Sequence, residues 1–141
     1  MAKPDFSACT GCLCFAVRRA ARAVTQRYDA HLRPSGLRAT QFTLLVVLKN
    51  GGPQPQSRIA ELLGMERTTL TRNLRPLLAR GYVTYEVGEE DRRVRQIAIT
   101  PAGTQTIARA LPHWRKAQRE IEAQLAPAAL TTLAALAQPG R

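Results

Sequence analysis

Gly64 divides two stretches of helically spaced apolar residues, and a strand-rich pair of segments follows directly. Few folds accommodate that order. Ile59, Leu62 and Leu63 precede the glycine, and Ser57 is placed to cap a short helix over Arg58–Leu63. Beyond it, Met65–Arg80 reads as a longer helix with Leu70, Leu74, Leu77 and Leu78 on one face, ended by Gly81. Tyr82–Val87 and Val94–Ile99 are rich in β-formers and flank the charged tip Gly88–Arg93, which spells a hairpin. Two helices joined by a short glycine turn, the second longer, form a helix-turn-helix unit, and the hairpin adds a wing.

The flanks are helical. Leu13, Val17, Ala20, Val24, Tyr28 and Leu32 keep a 3.6-residue stripe from Cys12 to about Arg33, closed by Pro34-Ser35-Gly36. A second helix runs from about Ala39 to Lys49, stopped by Asn50-Gly51-Gly52-Pro53. Thr100-Pro101 reopens helix as cap and first residue, running to about Leu125 with a kink expected at Pro112. Pro127 opens a last short helix, and residues 1–10 read as a frayed arm. The predicted fold is mainly α with a small β-hairpin wing, one domain over 1–141. Residues 37–100 form the winged unit. The end segments 12–36 and 101–141 carry apolar stripes with few local partners, so both are expected to be buried against a second copy, as a homodimer.

On the longer helix, Thr68, Arg72 and Arg75 lie opposite the leucines, with Arg67, Thr69, Thr71 and Asn73 beside them. Arginine for guanine, asparagine for adenine and threonine for phosphate or thymine methyl make a major-groove inventory, although an ordinary solvated helix face has similar composition. The wing tip carries Arg92 and Arg93, with Arg95 just behind, and such a tip reaches a narrow minor groove, which attracts arginine. Asp91 is expected to pair with Arg93 and hold its guanidinium. The charge agrees: 21 Lys plus Arg against 10 Asp plus Glu give +11, a balance that attracts polyanions, whether nucleic acid or membrane surface.

From Leu62 to Gly103 the chain resembles the multiple-antibiotic-resistance (MarR) regulators. The residues that carry the resemblance are Arg80-Gly81-Tyr82-Val83, Asp91-Arg92-Arg93, Ile97-Ala98-Ile99 and Thr100-Pro101-Ala102-Gly103, in the family's order and spacing. The resemblance implies a triangular homodimer on a pseudo-palindromic double-stranded operator, with recognition helices in major grooves and wings in minor grooves. It also implies a small aromatic or anionic ligand between the dimer helices and the winged unit, where Arg18, Arg19 and Arg22 are available for a carboxylate. Pro76, inside the recognition helix, departs from the pattern and makes Arg75 a weaker contact than Arg72.

Cys9, Cys12 and Cys14 lie within six residues. Three thiols without a nearby histidine fall short of a closed metal site, leaving inert packing at a dimer interface or redox sensing. Leu13-Cys14-Phe15-Ala16-Val17 resembles the organic-peroxide-sensing (OhrR) branch, which implies Cys14 as the reactive thiol and Tyr28 as its hydrogen-bonding tyrosine. Arg18 stands where that branch has a tyrosine, and Ala39 near where it has another. Cys9 or Cys12 would then resolve an oxidised Cys14 as a disulfide; Cys12 and Cys14, two apart, do not face each other on one helix, so the bond is expected to cross the dimer or to use Cys9.

No nucleophile–base set, nucleotide-binding glycine loop or zinc-protease motif is present, so no enzyme activity, metal or cofactor is expected. With no long apolar run and no leader, a cytoplasmic protein without a membrane partner is expected. The expected function is a sequence-specific regulator of transcription, more often a repressor than an activator. The alternative is an architectural DNA binder acting through charge alone.

Overall fold

The computed structural model describes residues 3–138. Helix α1 spans Leu13–Leu32, as its stripe predicts, but a 3-10 turn at Ser7–Gly11 replaces part of the expected frayed arm. A second 3-10 turn, Arg33–Ser35, ends at Gly36, whose φ of 74° is a left-handed conformation that glycine enters without strain. Helix α2, Ala39–Gly51, has its first amides satisfied from two directions. Asp29 Oδ1 on α1 accepts from the Ala39 amide at 2.7 Å, and Gln41 Oε1 accepts from the Arg38 amide at 3.0 Å.

The hairpin strands β2 (Val83–Val87) and β3 (Arg95–Ile99) pair antiparallel, with Val83 opposite Ile99 and Val87 opposite Arg95. A short strand, β1 (Gln54–Pro55), joins the other edge of β3 with Gln54 opposite Ile97, giving a three-stranded sheet in the order β1-β3-β2. Two residues, one of them a proline, carry no alternation, so only the pairing reveals this strand.

That strand also corrects the start of helix α3, Gln56–Leu63. Pro55, held extended by the sheet, is the cap residue, and Ser57 lies exposed in the first turn instead of capping. Gly64 turns the chain at φ 61° into helix α4, Arg67–Ala79, which passes through Pro76 without a break. Below the proline the ladder resumes, with the Arg80 amide donating to the Pro76 carbonyl at 3.1 Å. Helix α5, Pro101–Glu122, likewise runs through Pro112, and α6 covers Ala129–Leu136, starting two residues beyond Pro127.

The core forms around α2, whose Phe42, Leu44, Leu45 and Leu48 are all buried. Leu70, Leu74 and Leu77 bring α4 onto it, Ile59 brings α3, and Val83 and Ile97 bring the sheet. Phe42 stacks on Trp114 of α5 with ring centroids 6.0 Å apart. Burying a side chain of this size contributes about 1.5–3 kcal/mol, so these contacts hold α4 and the base of the wing against α2. The ends are different. Leu32 is the only fully buried residue of α1, and Leu13, Phe15, Val17, Leu125, Leu130 and Leu136 are exposed.

Candidate nucleic-acid interface

Helix α4 buries its leucine face and turns the opposite side outward. Arg67, Thr68, Thr71, Arg72 and Arg75 line an open depression of 430 Å³ along that side. All five are exposed, as is Thr69 on the flank. Among the described residues, none of the three arginines is held in a salt bridge. Thr71 is partly committed, since its hydroxyl donates to the Arg67 carbonyl at 2.9 Å and accepts from Gln56 Nε2 at 3.4 Å. The surface therefore offers cationic forks without neutralising partners, the chemistry that phosphate and guanine accept.

Asn73 does not belong to this face. Its Nδ2 donates to the Thr69 carbonyl at 3.0 Å, and its Oδ1 accepts from the Thr40 hydroxyl at 3.2 Å. Each end of the amide already has one protein partner, which ties α4 to α2 and holds Asn73 off the open face. Helical spacing alone places a residue on a flank and cannot show which neighbour it meets.

The wing tip is built by Asp91, though not through the side chain expected. Asp91 Oδ1 accepts from the backbone amide of Arg93 at 3.0 Å, and its carbonyl accepts from Val94 at 3.1 Å. No ion pair joins Asp91 to the Arg93 guanidinium among the described residues. A short Asx turn thus shapes the loop and leaves the Arg92 and Arg93 side chains exposed. Gly88 closes the other side, where a β-carbon would stand 2.8 Å from the Asp91 carbonyl oxygen. Arg95 lies with its guanidinium carbon 4.4 Å over the centre of the Tyr85 ring. Glu86, Glu89, Glu90 and Asp91 line a separate hollow between the wing and Pro53, so the hairpin has an acidic side as well as a basic tip.

The short motifs that flank the wing bond to each other. The Thr100 hydroxyl donates to the Gly81 carbonyl at 2.6 Å and accepts from the Gly103 amide at 3.1 Å, while the Thr100 amide donates to the Tyr82 carbonyl at 3.0 Å. Arg80 adds a bond of 2.7 Å from its guanidinium to the Gly36 carbonyl. The end of α4, the start of α5 and the turn before α2 are therefore one hydrogen-bonded junction, which sets the angle between recognition helix and wing.

The three cysteines are free and exposed, with Cys9 in the first 3-10 turn, Cys12 just before α1 and Cys14 in its first turn. Among the described residues, no three His, Cys, Asp or Glu side chains converge on a metal geometry. Tyr28 shares α1 with Cys14 but lies fourteen residues on, about 21 Å along the axis, so it meets that thiol only if it comes from a second copy. Its hydroxyl instead bonds Gln118 of α5, and partial burial, then Glu122, push its pKa up. Tyr28 also lines a cavity of 240 Å³ with Val24, Thr25, Ala39, Thr43 and Trp114. Arg18, Arg19 and Arg22 do not line it, because they project from the uncovered part of α1.

No helix of the described residues is long and apolar enough to cross a membrane. The MarR family model matches residues 35–94, the segment from the turn before α2 to the wing tip. The HTH-type transcriptional regulator YwoH of Bacillus subtilis is 31% identical over 84 residues, which span 60% of this chain and 61% of that protein. The transcriptional regulator MosR of Mycobacterium tuberculosis, solved in complex with DNA, is 40% identical. That match covers 90% of this chain and 94% of MosR, with a TM-score of 0.81. The transcriptional repressor CouR, solved on a 23-mer DNA duplex, is 25% identical over 97% of this chain and all of its own, with a TM-score of 0.79. With the winged unit, its bonded motifs and full-length similarity agreeing, the chain belongs to the MarR family of winged-helix transcriptional regulators.

Proposed function

We propose that this protein is a homodimeric, sequence-specific repressor of transcription that binds a pseudo-palindromic double-stranded operator. The carrying observation is the outward face of α4, where Arg67, Arg72 and Arg75 stand exposed, with no salt bridge among the described residues, beside a wing tipped by Arg92 and Arg93. Arg72 reads guanine in the major groove, and Arg67, Thr68, Thr69, Arg75 and Ser57 hold the edges and backbone around it. Arg93 and Arg92 enter the adjacent minor groove. The similarity to MosR, solved with DNA, and to the repressor CouR supports the assignment. The exposed Leu13, Phe15 and Val17 of α1 and Leu130, Leu133 and Leu136 of α6 offer an apolar surface for a second copy. Selection from random duplexes tests the reading. A two-fold symmetric site with half-sites about one helical turn apart is expected, and an unstructured pool would reject it.

The signal proposed is oxidation at the N-terminal thiols. Cys9, Cys12 and Cys14 are all exposed beside the uncovered apolar part of α1. The Cys14 thiolate attacks the terminal oxygen of a hydroperoxide and becomes a sulfenic acid as the O–O bond breaks; the departing alkoxide takes up a proton and leaves as an alcohol. Cys9 or Cys12 then condenses with it, losing water and forming a disulfide. A disulfide at the mouth of the dimer surface would move α1 and so the spacing of the two reading helices. DNA release on hydroperoxide treatment that persists in Cys14→Ser would remove Cys14 from this role. A small aromatic ligand in the 240 Å³ cavity is the competing signal, favoured by its Tyr28 and Trp114 walls.

A further inference from the structure

Arg95 opens β3 at the neck of the wing, opposite Val87 in the ladder, and Tyr85 stands on the same face one step along the diagonal. The guanidinium carbon lies over the ring, 4.4 Å from its centroid. Glu86, the nearest acid in the ladder, pairs in register with Gln96 and therefore points to the opposite face. Arg95 takes part in no salt bridge among the described residues. Its partner is a ring face, not a carboxylate, and the difference matters. A carboxylate would neutralise the guanidinium and occupy its fork. A ring leaves the full charge and the five edge donors free while restricting the side chain, whose rotamer freedom would otherwise be lost on binding. Tyr85 itself is 37% exposed, more than a ring placed only for packing requires.

We infer that Tyr85 is a positioning residue of the DNA interface, its ring holding Arg95 ready to grip a backbone phosphodiester beside the groove that the wing enters. The inference rests on the DNA-binding reading above and deepens it. The contact is with phosphate and is indifferent to sequence, because Arg95 sits at the neck behind the tip that carries Arg92 and Arg93.

The test measures operator affinity of the full-length protein at several salt concentrations for Tyr85→Phe, Tyr85→Leu, Arg95→Ala, the Tyr85→Leu/Arg95→Ala pair and Arg72→Ala. Tyr85→Phe keeps the ring and stays within about twofold of the parent protein, whereas Tyr85→Leu weakens binding by about two- to fivefold, the value of an exposed cation–π contact. Arg95→Ala loses more and makes the salt slope shallower by about one. Adding Tyr85→Leu to Arg95→Ala costs nothing further, because the ring acts only through the arginine. In proton spectra the Arg95 side-chain signals are ring-shifted upfield in the parent and in Tyr85→Phe, and return to ordinary positions in Tyr85→Leu. Should Tyr85→Leu not fold, Tyr85→Met serves in its place. Equal losses from Tyr85→Leu in both backgrounds, or a Phe variant as weak as the Leu one, overturn the inference. If Arg72→Ala weakens binding and Tyr85→Leu does not, positioning alone fails. If neither Arg72→Ala nor Arg95→Ala changes binding, the DNA-binding reading itself fails.

Discussion

The Thr40 hydroxyl, in the first turn of α2, donates to Asn73 Oδ1 on the recognition helix at 3.2 Å. Asn73 then passes a bond of 3.0 Å to the Thr69 carbonyl in its own helix. The neighbouring Ala39 amide is held by Asp29 of α1 at 2.7 Å, so α1, α2 and α4 meet through adjacent polar contacts. Asn73→Ala is therefore expected to lower stability by about 1 kcal/mol, the usual worth of a protein hydrogen bond, without altering base preference. Urea unfolding together with a binding-site selection checks it. Loss of adenine preference at one position would return Asn73 to the reading face.

Gly103 has no room for a methyl group. A β-carbon there would collide with the Tyr82 carbonyl oxygen and stand 2.8 Å from Ile99 Cγ1. Backbone, not a flexible side chain, would have to yield. Gly103→Ala should destabilise the protein by about 1–3 kcal/mol, as overpacking does, and should displace the wing relative to α5. Thermal unfolding measures the first effect. A melting temperature unchanged from the parent would contradict the packing described.

Asp91 shapes the wing tip through the Arg93 amide at 3.0 Å, a bond that needs an acceptor oxygen and no charge. Asp91→Asn is thus expected to keep operator affinity nearly intact, while Asp91→Ala weakens it by about 0.5–1.5 kcal/mol, with A·T-flanked sites affected most. Were an ion pair to the Arg93 guanidinium the main effect, the Asn variant would fall as far as the Ala variant.

Glu120 joins α5 to α1, 2.6 Å from Arg27 Nη2 and 2.6 Å from His31 Nε2. The hydrogen bonds from Arg27 and then His31 hold its carboxyl below the usual glutamate value of 4.5. A carboxyl depressed in the folded state stabilises the fold above its unfolded pKa, and that contribution is lost as pH falls through the folded value. Stability should therefore decline below about pH 4.5 with a component that Glu120→Gln removes. The site is open to solvent, so the effect is small and salt-sensitive. Identical acid limbs for parent and variant in urea-unfolding series would dismiss the clamp.

Periodicity and punctuation made much of this fold legible. The stripe from Leu13 to Leu32, the stop at Gly36, the turn at Gly64 and the Thr100-Pro101 start all appear where residue chemistry places them. What stayed hidden depends on partners distant in sequence. β1 exists because Gln54 meets Ile97, forty-odd residues on, and that pairing moves the cap of α3 from Ser57 to Pro55. Asn73 was placed by helical angle, which is blind to Thr40 across the packing interface. Asp91 was matched to the right residue but the wrong atom, since spacing does not distinguish an amide from a guanidinium two residues along. The Tyr85–Arg95 stack follows from hairpin register, which becomes definite only when Val83 is paired with Ile99. The cavity walled by Tyr28 and Trp114 likewise needs three helices to be in place.

The proposed function turns on whether the α4 face reads sequence. The affinity of the protein for a selected operator against a random duplex of equal length, at physiological salt, for the parent and Arg72→Ala, tests it. The parent is expected to prefer the operator by about 10³-fold or more, and Arg72→Ala to lose about 1–3 kcal/mol on the operator with little change on random DNA. A parent that binds both duplexes alike, with affinity set by salt alone and equal losses on both from Arg72→Ala, would contradict it and leave an architectural DNA binder acting through charge.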